Sequence, residues 1–355
     1  MLLTLLSFIF VLGVVVFVHE LGHFVAAKLV GARVEAFSMG FGKIYGKQIG
    51  DTEYRIGYIP LGGYVKIAGM VDEFMEEDGG ITGADDEFHS KSTFAKMFMI
   101  TAGVIMNMVL GILIYSFITM YEGEAQIDPS ATIGSVSQDY PALEAGIQPG
   151  DRILSVNGVY ANTWEEFRLE VHGKPSEELH VQWLRGDDTL SANITTHAEE
   201  IMDVDGKRTV GMLGVGPAYE RVKTGFFRSF YIGSKTTWNI ILLNLKSLQM
   251  LVSGSASISD IAGPVGIASM SGDFARAGWI TYLSFIGLIS ISIGLINIMP
   301  FPVLDGGHLV YIIIEAIIRK PVSTNIKLRL QQVGIILLLG LVLVVTYHDI
   351  LRIFK

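Results

Sequence analysis

The run His19-Glu20-Leu21-Gly22-His23 holds the residue types best suited to chemistry in this chain. In a helix, positions i and i+4 share a face, so its two imidazoles can bind one metal ion. Glu20 lies beside them, where it can take a proton from water. A catalytic zinc site needs three protein ligands and an open position. There is no cysteine, which excludes disulfides and thiolate metal sites and leaves His, Asp or Glu as the third ligand. The stretch Asn297-Ile298-Met299-Pro300-Phe301-Pro302-Val303-Leu304-Asp305-Gly306-Gly307-His308 offers Asp305 and His308, and spacing alone does not decide between them. Pro300 and Pro302 break a helix there, and backbone groups freed at membrane depth are tolerated only where they line a protein cavity. The bland alternatives are a polar pair tying helices together for the first motif, and a boundary N-cap for Asp305.

The elements that must position these residues are membrane helices. Half of the 355 residues are hydrophobic and only 17% are charged, against about 25% charged in soluble domains. The net charge of −9 argues against a nucleic-acid partner. Four stretches are long and apolar enough to span a bilayer: residues 2–29, 97–120, 279–299 and 333–347, the last extending toward Leu351. The first lacks a preceding basic residue and exceeds a signal-peptide core, so it is expected to stay in the mature protein. His19, Glu20 and His23 lie at its far end. Ionisable residues at such a place are by default functional, since a charge at the bilayer centre costs about 2.5–3.5 kcal/mol on insertion scales.

Arg33, Lys43, Lys47, Arg55, Lys66 and Lys91 follow the first span, and Arg319, Lys320, Lys327 and Arg329 lie between the third and fourth. Positive charge marks cytoplasmic loops, so both are expected inside, and the long segment between spans two and three outside. Arg352 and Lys355 dissent mildly.

Residues 31–70 alternate as short strands, with Pro60 to Gly63 expected as a turn between two of them. The acidic residues Asp72, Glu73, Glu76, Glu77, Asp78, Asp85, Asp86 and Glu87 are expected to form a solvated loop; a calcium site is the alternative, but EF-hand spacing is missing. Three regions result: residues 1–125 as an N-terminal membrane part, 126–217 as a polar domain, and 218–355 as a C-terminal membrane part. The polar block contains Ile133-Gly134-Ser135-Val136, Pro141-Ala142, Ala145-Gly146-Ile147 and Pro149-Gly150-Asp151-Arg152-Ile153-Leu154-Ser155-Val156-Asn157-Gly158. Strands, a short helix and a Gly-Asp turn in that order resemble a PDZ domain, whose groove for a peptide is expected to involve Gly211-Met212-Leu213-Gly214-Val215, residues that read equally well as an ordinary core strand. Residues 238–252 are apolar but interrupted by Asn239, Asn244 and Lys246, as in an amphipathic helix lying on the membrane surface.

The chain as a whole resembles the bacterial site-2 protease family, of the regulator-of-sigma-E protease type with one PDZ domain. The resemblance rests on His19 to His23, Val34-Glu35-Ala36-Phe37-Ser38-Met39-Gly40-Phe41-Gly42, Ile59-Pro60-Leu61-Gly62-Gly63-Tyr64-Val65-Lys66, Ala102-Gly103 with Asn107, Gly263-Pro264-Val265-Gly266-Ile267 and Asn297 to His308. It implies a polytopic α-helical membrane protein with about four transmembrane helices, a membrane-associated β-hairpin over residues 53–68 and one inserted α+β PDZ domain. It further implies an intramembrane zinc metalloprotease of the bacterial inner membrane. On this resemblance His19, His23 and Asp305 bind Zn2+, Glu20 is the catalytic base, and Asn297, Gly62, Gly63 and Tyr64 bind substrate. The implied substrates are single-span membrane proteins already trimmed on the outer side, such as anti-sigma factors or remnant signal peptides. Val104 stands where the family usually has Pro, and one PDZ domain stands where some members carry two. A protease-dead scaffold or an ion-coupled transporter are the rival readings; the first needs none of the four polar residues, and the second needs them spread through the membrane depth.

Overall fold

The computed structural model describes residues 2–70, 82–203, 206–257 and 261–353. The proline-free apolar N-terminal run forms α1 (Leu2–Leu29). At 1.5 Å per residue it is about 42 Å long, enough to cross a hydrocarbon core of about 30 Å and carry His19 to His23 near one boundary. Four strands follow: β1 (Val34–Phe41), β2 (Tyr45–Ile49), β3 (Thr52–Ile56) and β4 (Ile59–Ile67). Ser92, whose hydroxyl accepts from the Ala95 amide, opens α2 (Thr93–Glu122).

Next come β5 (Glu124–Ile127), β6 (Ile133–Val136), α3 (Pro141–Glu144), β7 (Arg152–Val156), β8 (Val159–Tyr160) and α4 (Trp164–His172). The strands β9 (Glu178–Arg185), β10 (Asp188–Thr195), β11 (His197–Asp203), β12 (Gly206–Met212), β13 (Val215–Pro217) and β14 (Tyr219–Val222) complete this part. The chain then returns to helix: α5 (Phe226–Val252), α6 (Pro264–Ala277), α7 (Trp279–Asn297), α8 (Asp305–Ile318) and α9 (Thr324–Ile353).

These elements make two compact units, one of Met1–Thr119 with Gly225–Lys355 and the other of Met120–Thr224. In the first unit, four helices among the described residues are long and apolar enough to span a membrane: α1, α2, α7 and α9. The last is twice the expected 333–347 stretch, because its polar first turns continue the same helix. The amphipathic segment likewise starts earlier, at Phe226. Helix α1 packs on α6, α7, β1 and β4. It crosses α2 at glycines on both sides: a Cβ on Gly22 would lie 2.4 Å from the Ala102 carbonyl oxygen, and one on Gly103 2.4 Å from His23 Nε2. Close backbone approach through small residues is how helices associate where lipid removes the hydrophobic drive.

The sheet of this unit has the order β2-β3-β1-β4. The expected hairpin over 53–68 is therefore corrected in detail. Its two strands, β3 and β4, flank β1, which pairs parallel with β3 and antiparallel with β4, and the hairpin of this sheet is β2–β3. Pro60 to Gly63 lie inside β4 and make no turn. As the edge strand, β4 tolerates a proline without an N–H to donate. In the acidic run, positions 72, 73 and 76–78 lie outside the described residues. Glu87 is not solvated: it is buried and accepts bonds from the Thr82 amide and hydroxyl and the Gly83 amide.

The second unit contains the strands, short helix and Gly-Asp turn on which the PDZ resemblance rested. β10, β9, β7 and β8 form one sheet in that order, β13 pairs with β6, and a Thr163–Glu166 capping box opens α4. Ile133, Ile153, Phe167, Leu179, Val181, Trp183 and Leu213 fill its core. The expected groove strand is interrupted: Leu213 and Gly214 lie between β12 and β13, Gly214 at φ 78°.

Candidate metal centre

Three elements converge on one point in the membrane unit. α1 presents His19 and His23 one turn apart, and α8 begins with Asp305 directly after the break that follows α7. That break folds tightly onto α8: a Cβ on Gly306 would lie 2.2 Å from the Ile298 and Met299 carbonyl oxygens, which brings the first residue of α8 back toward α1. His19 Nε2, His23 Nε2 and Asp305 Oδ2 then form a triangle with sides of 3.0, 3.1 and 3.4 Å.

This triangle fits a metal ion. Ligands about 2.0–2.1 Å from a tetrahedral zinc lie about 3.3 Å apart, the spacing of these three atoms. The carboxylate oxygen Oδ2 is buried without a hydrogen-bond partner, a costly state that a cation relieves. Among the described residues, His19, His23 and Asp305 form a group able to share an ion, and His308 stands outside it. His308 instead lines the cavity beside them, its Nε2 3.5 Å from Gln331 Nε2.

The imidazoles are oriented by one face of α2, formed by Met99, Gly103 and Asn107 at intervals of four. His23 Nδ1–H donates to the Met99 carbonyl at 2.8 Å, which leaves the Nε2 lone pair for a metal. Gly103 supplies the room. The Asn107 amide nitrogen lies 3.3 Å from His19 Nδ1, while its buried Oδ1 lacks a partner. Half a turn of that amide gives a protonated His19 Nδ1 its acceptor and frees Nε2 as ligand. Asn107 was a motif residue in the sequence with no role attached; a buried amide at the helix face opposite the histidines is the signal that gives it one. The Met99 carbonyl carries no side-chain signature at all.

The cavity over this centre is ≈ 180 Å³ and is lined by His19, Glu20, His23, Gly63, Tyr64 and Asp305 among others. Of the residues expected to bind substrate, Gly63 and Tyr64 thus border it, and Asn297 Nδ2 lies 3.3 Å from His19 Nε2. Gly62 lines a neighbouring cavity instead. Glu20 lines both cavities, so an acidic residue borders the same cavity as the three candidate ligands.

Comparison with known proteins points the same way. The profile described as Peptidase family M50 matches residues 7–341. The chain is 30% identical to "Zinc metalloprotease RasP" of Bacillus licheniformis, covering 99% of both chains. It is 28% identical to "Regulator of sigma-W protease RasP" of Bacillus subtilis over the same shares. Among solved structures, the PDZ domain of an SdrC-like protein from Listeria monocytogenes matches 26% of this chain and 90% of that one at 25% identity, with a TM-score of 0.21. The match to the family runs through both membrane parts and the block between them, and the chain belongs to peptidase family M50, the site-2 proteases, as a multi-pass zinc metalloendopeptidase of the bacterial inner membrane.

Proposed function

We propose that His19, His23 and Asp305 hold the catalytic zinc and that Glu20 is the general base of an intramembrane protease acting on single-span membrane proteins. The observation that carries this reading is the triangle of ligand atoms with Glu20 in the same cavity. When bound, zinc supplies Lewis acidity, which makes water acidic enough to react near neutral pH and polarises the scissile carbonyl. The Glu20 carboxylate accepts the proton of the attacking water and passes it to the leaving amine nitrogen. His23 Nδ1 and Met99 keep one imidazole fixed, so no reorganisation is needed at the moment of reaction.

A helical substrate hides its peptide bonds, so a stretch must unwind before attack. β4 is the edge of its sheet, and Gly63 and Tyr64 on it border the catalytic cavity. An unwound segment pairing with β4 regains backbone hydrogen bonds that the bilayer does not supply. Asn297, next to His19, is suited to hold a backbone carbonyl of that segment.

By the positive charge of the loops after α1 and between α8 and α9, the active site opens toward the cytoplasmic side and the PDZ-like unit is outside. A cavity of ≈ 240 Å³ in that unit, between α4 and residues 212–216, suits a peptide end of a trimmed extracytoplasmic stub. Anti-sigma factors and remnant signal peptides have this form, and the name of the Bacillus subtilis relative, a regulator of sigma-W, supports the first. The test is cleavage of a co-expressed, outwardly truncated single-span reporter by wild type and Glu20→Gln, with bound zinc measured in both. Cleavage lost by on the order of 10³-fold with zinc retained is the expected result. Equal cleavage by both removes Glu20 from the mechanism.

A further inference from the structure

Glu20 borders a second cavity that the reaction as described does not use. It measures ≈ 220 Å³ and lies between α1 and the sheet, sharing Glu20 and Gly63 with the catalytic cavity. On α1 its lining residues are Ile9, Gly13, Val16, Phe17 and Glu20, a single stripe at helical spacing. The sheet contributes Phe37, Met39 and Gly40 of β1, Ile56 of β3, and Gly62 and Gly63 of β4, with Gly57 between β3 and β4. Ser38 also reaches it, but its hydroxyl already donates to the Gly40 carbonyl at 2.8 Å. The lining is otherwise apolar apart from Glu20.

We propose that this cavity is a side-chain subsite, which receives one large apolar residue of the substrate next to the scissile bond. The proposal rests on the protease reading of Glu20 and adds a specificity to it. Size agrees: an apolar cavity of about 150 Å³ stays dry and takes up benzene, so 220 Å³ accepts a Leu, Met or Phe side chain. Position agrees as well. Side chains of a segment paired along β4 alternate between the two faces of the sheet. Those turned toward α1 at the level of Gly63 meet the cavity beside the catalytic base, where β4 itself has no side chain to fill it. Depth is set by α1, since Gly13 lies seven residues, about 10 Å, from Glu20. A Cβ built on Gly13 meets nothing within 4 Å, so this position opens into free space.

That free space supplies the test: Gly13→Ala adds a methyl without a clash, Gly13→Leu carries the larger volume into the cavity, and both improve helix propensity. Full-length enzyme in detergent is given three reporters with Ala, Leu or Phe at the residues flanking the scissile bond, and the cut is mapped by mass spectrometry. Wild type should prefer Leu and Phe over Ala. Gly13→Leu should lower kcat/KM at least tenfold for Phe and Leu and leave Ala within about twofold, with Gly13→Ala between them. The ratio between reporters does not depend on the fraction of enzyme folded. An equal loss on all three reporters, or none, overturns the subsite. Cleavage that persists in Glu20→Gln, run in the same panel, overturns the base assignment instead.

Discussion

Two buried carboxylates, one in each unit, show how differently the same group can be used. Asp151 in the PDZ-like unit is 1% exposed and fully partnered. Arg185 donates to it twice, from Nε at 2.8 Å and Nη2 at 2.7 Å, and the Gln148 amide donates at 2.8 Å. Among the described residues no guanidinium pairs with Asp305 in the membrane unit; its Oδ2 faces the Nε2 atoms of two imidazoles, at 3.0 and 3.4 Å, and is otherwise without a hydrogen-bond partner. A charge satisfied by the protein is part of the structure. One left unsatisfied among lone-pair donors is a place for something the chain does not itself provide.

Exchanging each carboxylate for its amide should separate these uses. Asp305→Asn should lose most bound zinc and lower cleavage on the order of 10³-fold or more, with the fold kept, since an uncompensated oxygen is removed. Asp151→Asn should keep zinc but destabilise the second unit by about 2 kcal/mol, since one partner of a charged pair is gone while Arg185 remains half-solvated. Elemental analysis, reporter cleavage and hydrogen exchange over residues 120–224 of the full chain read all three. Zinc lost from both variants, or from neither, would break the comparison.

Acid sharpens it further. Burial alone would raise the Asp151 pKa, but the Arg185 fork and the Gln148 amide overcome this and hold it below the ordinary range. A carboxyl depressed in the folded state contributes stability above its unfolded pKa, about 3.9, and loses it as pH falls through the folded value. The Asp151 contribution to protection of the second unit should therefore be flat from neutral pH to about 4 and fall below it. The gap between wild type and Asp151→Asn should close over the same range. A gap that stays constant below pH 4 would show that the ion pair carries no stability there.

How legible these sites were depended on the range of the contacts. His19, Glu20 and His23 could be read because their geometry is local to one helix turn. Asp305 and His308 could not be separated by spacing, as both follow a proline break whose direction depends on the packing of Gly306 against the Ile298 carbonyl. The strands of residues 31–70 were legible from alternation, but not their order. The insertion of β1 between β3 and β4 is a long-range pairing, and Pro60 reads as a turn residue although an edge strand accommodates it. Glu87 looked solvated among other acids until Thr82 and Gly83 were seen to enclose it.

Asp349 gives the smallest expected effect and the finest test of the comparison. This carboxylate on α9 is 3% exposed and, among the described residues, is satisfied by backbone amides. The Gly263 and Gly266 amides donate to it at 3.1 and 2.8 Å, so a neighbouring helix caps the N-terminus of α6. The motif Gly263-Pro264-Val265-Gly266 thereby gains a physical reason: a Cβ at Gly263 or Gly266 would lie 2.7 or 2.9 Å from the carboxylate oxygens. Asp349→Ala should cost about 1–2 kcal/mol, the usual price of a lost cap, and speed exchange of the Gly266 amide about tenfold. Because its partners are two N–H groups and not a metal, zinc content should not move and cleavage should fall less than about threefold, through the packing of α6 on α1. A loss of zinc as large as that of Asp305→Asn would mean that the cap of α6 and the metal centre form one cooperative unit, and that a satisfied carboxylate can be functional after all.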